Sequence, residues 1–243
     1  MKRLFDLGVT LLAAVAWVPV LLLAGLAVLV LEGAPVLYVS RRRVYGDRTQ
    51  PVLKFRTMRR DAERIASRAT VPIEDTRFLN IPEDSPLYTG VGRVLERFCL
   101  TELPQLLHVL RGEMSLVGNR PLPEDVIAAL KEAHPDVDQR FSSRCGLTGP
   151  VQLAGRERVT DAQRLRIEVK YCQVALHSYS MRLDFMILLY TVLMGLRLHL
   201  PFSATQVEEM LARYERAERR ATPGELCVEQ MDAPASRQRE EVG

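Results

Sequence analysis

The residues best suited to chemistry lie between Thr101 and Pro121, in the run TELPQLLHVLRGEMSLVGNRP. Glu102 opens a helical pattern, and Glu113, Asn119 and Arg120 follow on a loop bounded by glycine and proline. A carboxylate beside a helix N-terminus, followed by an arginine on such a loop, suits phosphate and divalent-metal chemistry. The N–H groups and guanidinium bind anionic oxygens, and the carboxylate binds a cation. Thr101 also carries an oxygen, but a neutral hydroxyl attacks phosphorus only with a base beside it. Glu102 is adjacent in sequence, yet consecutive helical residues point about 100° apart. The plain role for Thr101 is a helix N-cap. A second cationic group, Lys54 and Arg56, lies in VLKFRTM. If that run is extended, both side chains share one face, with Phe55 and Thr57 on the other. The bland reading is an edge strand with solvated charges. Gln152 and Arg156 follow Gly146-Leu147-Thr148-Gly149, a stretch that by itself is a glycine-rich connection.

The elements that must position these groups are legible in outline. Pro104 fits a first helical turn, where no intrahelical N–H bond is needed. Leu103, Leu106, Leu107 and Leu110 make one apolar helical face, and Gly112 is a C-cap candidate. Pro35–Arg43 and Val52–Met58 read as strands across a turn near Gly46-Asp47. Residues 59–90 are polar and read as a helix over Arg59–Ser67 followed by a variable loop, after which Val91 begins a short helix. Thr160 and Gln163 form a capping box for a helix to about Leu176, and Thr205 and Glu208 another for a helix to about Arg220. Leu183–Leu196 is apolar apart from Asp184 and too short to span a bilayer, which suits either core or a helix on a membrane surface. Asp184 itself suits a helix N-terminus.

Gly8 to Leu31 carries no charge and is long enough to span a bilayer. A cleaved signal peptide would have a shorter apolar region and a small-residue cleavage site. Basic residues stand on both flanks, Lys2 and Arg3 before the run and Arg41, Arg42 and Arg43 after it, so the positive-inside rule gives no direction for a simple span. Pro19 favours a kink. Two half-helices hinged there would enter one leaflet and leave by the same face, keeping both flanks on the cytoplasmic side.

The rest of the composition mainly excludes. With 243 residues the chain is one domain plus appendages, and a net charge of +3 gives no argument for nucleic acid. The four cysteines show no metal spacing and read as unpaired cytoplasmic thiols. The expected fold is α+β and mostly helical. A proline-broken re-entrant (or spanning) membrane helix over 1–34 precedes a small cytoplasmic domain over 35–200, with short strands and membrane-surface helices. A C-terminal helix over 201–221 and a disordered tail over 222–243 complete the chain.

TELPQL followed by RGEMSLVGNRP resembles the core block of the bacterial sugar transferases, the monotopic phosphoglycosyl transferases, whose usual pattern is D-E-L-P-Q-L and K/R-G-D/E-M-S-L-V-G-P-R-P. The KFRTM run is a signature of the same family, and Gly146–Arg156 resembles its G-I-T-G-x-W-Q-V-x-G-R loop. The resemblance runs from Lys2 to about Leu198. It implies an enzyme that moves a sugar phosphate from a UDP-sugar to polyprenyl phosphate, with Mg²⁺ required, in the bacterial cytoplasmic membrane. It also implies a re-entrant helix broken at Pro19, with Lys2 and Arg3 at its entry. By that resemblance Lys54, Arg56, Arg120, Gln152 and Arg156 bind substrate, and Glu102 serves in catalysis or as the Mg²⁺ ligand. Membrane lipid is a further partner, and a homodimer is left open. Three positions depart from the pattern. Thr101 stands where the family has its nucleophilic aspartate, Glu96 where it usually has an arginine, and Asn119 where it has the first proline of P-R-P, which should make that loop less rigid. An alternative is therefore a catalytically impaired relative acting as a membrane partner or regulator in glycan assembly. A membrane-anchored protein with no sugar role is a third reading, against which the KFRTM and ELPQL blocks argue.

Overall fold

The computed structural model describes residues 1–62, 85–155 and 158–221, with side chains through 216. Most of the expected Arg59–Ser67 helix, all of the 222–243 tail and Arg156 lie outside the described residues. The architecture is mostly helical with two small sheets. Helix α1 (Lys2–Leu12) and helix α2 (Ala14–Glu32) form the N-terminal element. Strands β1 (Leu37–Tyr45) and β2 (Arg48–Phe55) pair as an antiparallel hairpin in which Tyr38 faces Lys54. Helix α3 (Gly90–Arg97), the 3₁₀ turn Leu103–Gln105 and helix α4 (Leu106–Arg111) follow. Strand β3 (Ser115–Val117) lies parallel to β4 (Gly146–Thr148), with helix α5 (Glu124–Ala133) and a 3₁₀ segment (Pro135–Phe141) between them. Helices α6 (Pro150–Ala154), α7 (Asp161–His177), α8 (Met181–Gly195) and α9 (Ala204–Ala221) complete the described chain.

The N-terminal apolar run does break, but at Ala13 rather than at Pro19, which lies inside α2. The Trp17 indole N–H donates to the Thr10 carbonyl at 2.9 Å, and the Thr10 hydroxyl donates to the Asp6 carbonyl at 2.6 Å. A carbonyl released at the break thus gains a donor. Both ends of the element are tied to the rest of the protein. At the start, Lys2 pairs with Asp184 at 2.6 Å, and the Arg3 guanidinium takes the carbonyls of Val109 and Leu110 at the end of α4. At the finish, Arg56 Nη2 donates to the carbonyls of Glu32 and Gly33 at 2.8 and 2.7 Å. Between these ends α2 is long and apolar enough to cross a membrane, and only Trp17, Ala24 and Val28 of it are buried.

The core is built from α4–α9 and the small parallel sheet, with Val109, Val117, Phe141, Leu153, Ile167, Ile187 and Leu211 fully enclosed. Helix α8 buries Leu183, Asp184 and Ile187 but leaves Met181, Phe185, Leu189, Val192 and Leu196 exposed, an apolar stripe on its other side. The Thr160/Gln163 capping box is present at the head of α7. The expected Thr205/Glu208 box is not. Ser203 and Gln206 make the reciprocal bonds two residues earlier, at 2.8 and 3.2 Å, while Glu208 reaches Arg166 at 3.3 Å.

Candidate active site

Three backbone devices bring the site together. Helix α3 ends in a left-handed turn at Cys99 (φ 56°), where the N–H of Leu100 bonds to the Leu95 carbonyl and that of Cys99 to the Glu96 carbonyl. This pair of bonds is the Schellman closure, and it reverses the chain immediately before Thr101. The Thr101 carbonyl then accepts the Phe55 N–H at 2.9 Å, which locks the Thr101 turn against the end of β2 and beside Lys54. Finally, Gly118, Gly146 and Gly149 allow backbone to lie directly on backbone: a Cβ at Gly146 would stand 2.1 Å from Gly118 N, and one at Gly149 2.1 Å from Gly118 O. The loop bearing Asn119 and Arg120 leaves from that packed point.

Glu102 and Arg120 meet in this setting, with Oε1 and Nη2 2.5 Å apart and both side chains partly exposed. Lys54 is stacked over the Tyr38 ring at 5.1 Å. Burial pushes the Lys54 ammonium below its ordinary value of 10.5; Arg42 and Arg120 push the same way, and Glu96 and Glu102 oppose them. A lysine, two arginines and two glutamates therefore share one electrostatic environment. Arg42 also donates to the Pro121 carbonyl at 3.1 Å and so holds the far side of the Arg120 loop. Glu96 accepts from the Thr57 hydroxyl at 3.3 Å. Tyr38 and Arg42 went unremarked as site residues in the sequence. Their signal was the period of two along β1 and the register that sets Tyr38 against Lys54.

Thr101 is not the N-cap expected of it. Glu102 occupies the position before the 3₁₀ turn, and the Thr101 side chain is 4 % exposed with a hydroxyl that has no hydrogen-bond partner. The reason is tertiary: the Thr101 backbone is turned toward Phe55, so its side chain points into the protein instead of over the first turn. No base touches its Oγ1 among the described residues, so nothing activates it as a nucleophile.

The other expected residues separate by role. Arg56 does not share the group of Lys54, because β2 ends at Phe55 and the guanidinium turns to the end of α2. Gln152 lies with its Oε1 beside Gly149, behind the Arg120 loop, and its amide nitrogen is buried without a partner. Glu113 takes a structural bond from His108 Nδ1 at 2.6 Å, while the Leu53 N–H donates to His108 Nε2 at 3.2 Å. At Asn119, where the missing proline predicts a less rigid loop, the side chain is instead anchored. Its buried amide donates to the carbonyls of Arg140 and Glu168 and to Cys172 Sγ, at 2.9, 3.0 and 3.2 Å. Side-chain hydrogen bonds thus give the stiffness that a proline ring would give.

One supporting feature had no sequence signal. Arg140 and Glu168, both buried, pair through two bonds of 2.6 and 2.7 Å, and Arg140 Nη2 donates to the Arg120 carbonyl at 2.9 Å. Nearby, burial pushes the Cys145 thiol up to about 12 and raises that of Cys172 also. These cysteines are unpaired and belong to the core, as does the packing role of the loop they flank.

Comparison with known proteins shows the family. The family model described as bacterial sugar transferase matches residues 1–198. The chain is 35% identical over 195 residues to the exopolysaccharide production protein ExoY of Sinorhizobium fredii, covering 79% of this chain and 83% of that protein. It is 33% identical over 198 residues to a UDP-glucose:undecaprenyl-phosphate glucose-1-phosphate transferase of Caulobacter vibrioides, covering 79% and 68%. It is also 34% identical over 200 residues to an undecaprenyl-phosphate glucose phosphotransferase of Komagataeibacter xylinus, covering 79% and 35%. A match that spans the N-terminal helices, the KFRTM run, the TELPQL turn and the arginine loop in order shows that this chain belongs to the bacterial sugar transferase family.

Proposed function

We propose that the chain is a membrane-bound phosphoglycosyl transferase. It moves a sugar 1-phosphate from a UDP-sugar to polyprenyl (undecaprenyl) phosphate with release of UMP, and so initiates exopolysaccharide, capsule, O-antigen or glycoprotein glycan synthesis. The observation that carries this reading is the convergence of Lys54, Arg120 and Glu102 on one turn, in a chain of this family. Lys54 and Arg120 bind the diphosphate as charge-assisted donors. Among the described residues no three His, Cys, Asp or Glu side chains converge, so these residues form no closed metal cage. Mg²⁺ fits here in its usual sparse manner, through one carboxylate and substrate phosphates, and Glu102 is the carboxylate that would hold it. When bound, the ion neutralises diphosphate charge.

The buried, unactivated Thr101 hydroxyl favours direct transfer over a covalent enzyme intermediate. An oxygen of the acceptor phosphate is already anionic and needs no base. It forms a bond to the β-phosphorus of the donor, the bond from that phosphorus to the bridging oxygen breaks, and UMP leaves with the electron pair. Lys54 and Arg120 then stabilise charge on the leaving and transferring groups. The N-terminal element fits a re-entrant path at the cytoplasmic membrane, with the site on the cytoplasmic side. Both of its ends bind the same domain, and the break at Ala13 has its own hydrogen-bond closure.

The test is UMP release from a panel of UDP-sugars by the detergent-purified chain with Mg²⁺ and undecaprenyl phosphate. Release that depends on the lipid is expected, falling at least about ten-fold in Lys54→Met and Arg120→Gln, as for the loss of one charge-assisted contact. A labelled phosphosugar trapped on Glu102 would replace direct transfer by a covalent route. No release from any donor, with Thr101→Asp restoring it, would leave the non-catalytic partner as the correct reading.

A further inference from the structure

Lys54 is fixed at its backbone and free at its tip. The N–H groups on either side of it are both taken: Leu53 donates to His108 Nε2 at 3.2 Å, and Phe55 to the Thr101 carbonyl at 2.9 Å. These bonds hold the Lys54 backbone beside the Glu102 turn, but the ammonium stands on a flexible stem with much rotamer freedom. Another group must decide where the charge goes. Among the described residues neither nearby glutamate forms an ion pair with it. Glu102 pairs with Arg120 at 2.5 Å, and Glu96 accepts from the Thr57 hydroxyl at 3.3 Å. Arg42 and Arg120 repel the ammonium.

The group that meets the ammonium is the Tyr38 ring. The hairpin register sets Tyr38 directly opposite Lys54, so both side chains rise from one face, and Nζ lies over the ring at 5.1 Å from its centre. Tyr38 is 38 % exposed, so its ring does not fill the core. An aromatic ring attracts a cation to its face through its quadrupole, without carrying a net charge. A carboxylate in that place would also hold the ammonium, but it would cancel the charge, and an arriving phosphate would have to break the pair. Over the ring the ammonium keeps its full charge for an anion.

We propose that Tyr38 is a positioning residue for substrate: its ring holds the Lys54 ammonium beside the Glu102–Arg120 pair, ready for the donor's diphosphate. The proposal rests on Lys54 binding that diphosphate, as in the function proposed above. Tyr38 acts through Lys54 and needs no contact of its own with the phosphates. By restricting the stem before substrate arrives, the ring lowers the rotamer freedom that is lost on binding.

The experiment is a calorimetric titration of the detergent-purified full chain with UDP at neutral pH. Tyr38→Leu keeps an apolar side chain but has no aromatic face, and should weaken UDP about five-fold or more, as for the loss of a partly desolvated cation–π contact. Tyr38→Phe restores the face and should bind within about two-fold of the parent. In Lys54→Met, which is already weakened, adding Tyr38→Leu should change nothing further, because the ring then has no cation to hold. Tyr45→Leu removes another exposed tyrosine of β1, outside the site, and should bind as the parent does. Tyr38 is partly exposed, so its variants are expected to fold, which thermal melting checks. Tyr38→Val, a strand former, makes the same test if Tyr38→Leu melts early. The proposal is overturned by parent-like affinity in Tyr38→Leu, by equal losses in Tyr38→Leu and Tyr38→Phe, or by a loss from Tyr38→Leu that is the same with and without Lys54. Parent-like affinity in Lys54→Met would be a separate failure. It would remove the diphosphate role of Lys54, and so count against the proposed function together with the premise of this proposal.

Discussion

Lys54 holds its charge against its surroundings, and that gives the site a defined pH response. Burial keeps its ammonium below 10.5, so the folded chain releases this proton at a pH where an unfolded chain still holds it. Fold stability from this group therefore rises as pH climbs from the folded value toward 10.5, while the cation proposed to bind phosphate disappears over the same interval. Affinity for UDP is expected to weaken with rising pH within that window. In Lys54→Arg, whose guanidinium stays charged, the affinity should remain flat. Isothermal titration across pH checks both. Asp184 has the opposite sign. Burial raises its carboxyl above 3.8 against the pull of Lys2, and Tyr171 donates to it at 2.9 Å. Its ionised form costs stability as pH rises through the raised value, and Lys2 offsets that cost. Lys2→Ala should lose about 2 kcal/mol at neutral pH, and much less below about pH 3.8, where a protonated carboxyl needs no cation. A denaturant titration at both pH values, repeated in Asp184→Asn, would show whether the pair is the cause.

At the scale of the element, the N-terminal helix pair is the most specific feature. Proline made Pro19 the expected break, yet α2 runs through it, and the chain turns where Trp17 can cover the Thr10 carbonyl. Trp17→Phe should lose about 1 kcal/mol, the worth of one hydrogen bond, while keeping most of the packing. Pro19→Ala should leave the path unchanged. Single cysteines, one inserted directly after Met1 and one at Leu37, check that path in sealed inverted vesicles, in a chain whose exposed Cys99 and whose Cys227 are replaced by serine. Labelling of both by an impermeant thiol reagent from the cytoplasmic side is expected, in the parent and in Pro19→Ala alike. Labelling of only one would mean a spanning helix. Elsewhere, the Thr160/Gln163 box is legible because its pattern and the chain entering the helix agree. At Thr101 and at Thr205 the local pattern is equally good, but the direction of the incoming chain makes Glu102 and Ser203 the residues before the first turn.

For the whole molecule, the Arg140–Glu168 pair holds the Arg120 loop from behind. It joins α7 to the 3₁₀ segment, carries the Arg120 carbonyl and stands beside the buried Asn119 amide. Arg140→Met should cost about 3–5 kcal/mol, because it strands the Glu168 carboxylate in the core. Arg140→Met combined with Glu168→Leu should recover most of that stability, as read by the denaturant midpoint. If the pair also positions Arg120, the double variant will still bind UDP more weakly than the parent, since the Arg120 carbonyl has lost its donor.

The sequence by itself determined the family, the apolar N-terminal run, the hairpin, most helices and the residues Lys54, Glu102 and Arg120. These are written in local periodicity, in turn chemistry and in runs such as KFRTM and ELPQL. Tertiary structure alone decided that Arg56 parts from Lys54, because β2 ends between them and the exposed carbonyls of α2 attract the guanidinium. It also decided that Asn119 stiffens its loop, through partners at Arg140, Glu168 and Cys172 that are distant in sequence. And it turned Thr101 inward, away from any base, since one backbone bond to Phe55 fixes the direction of a side chain that local propensity would have used as a cap.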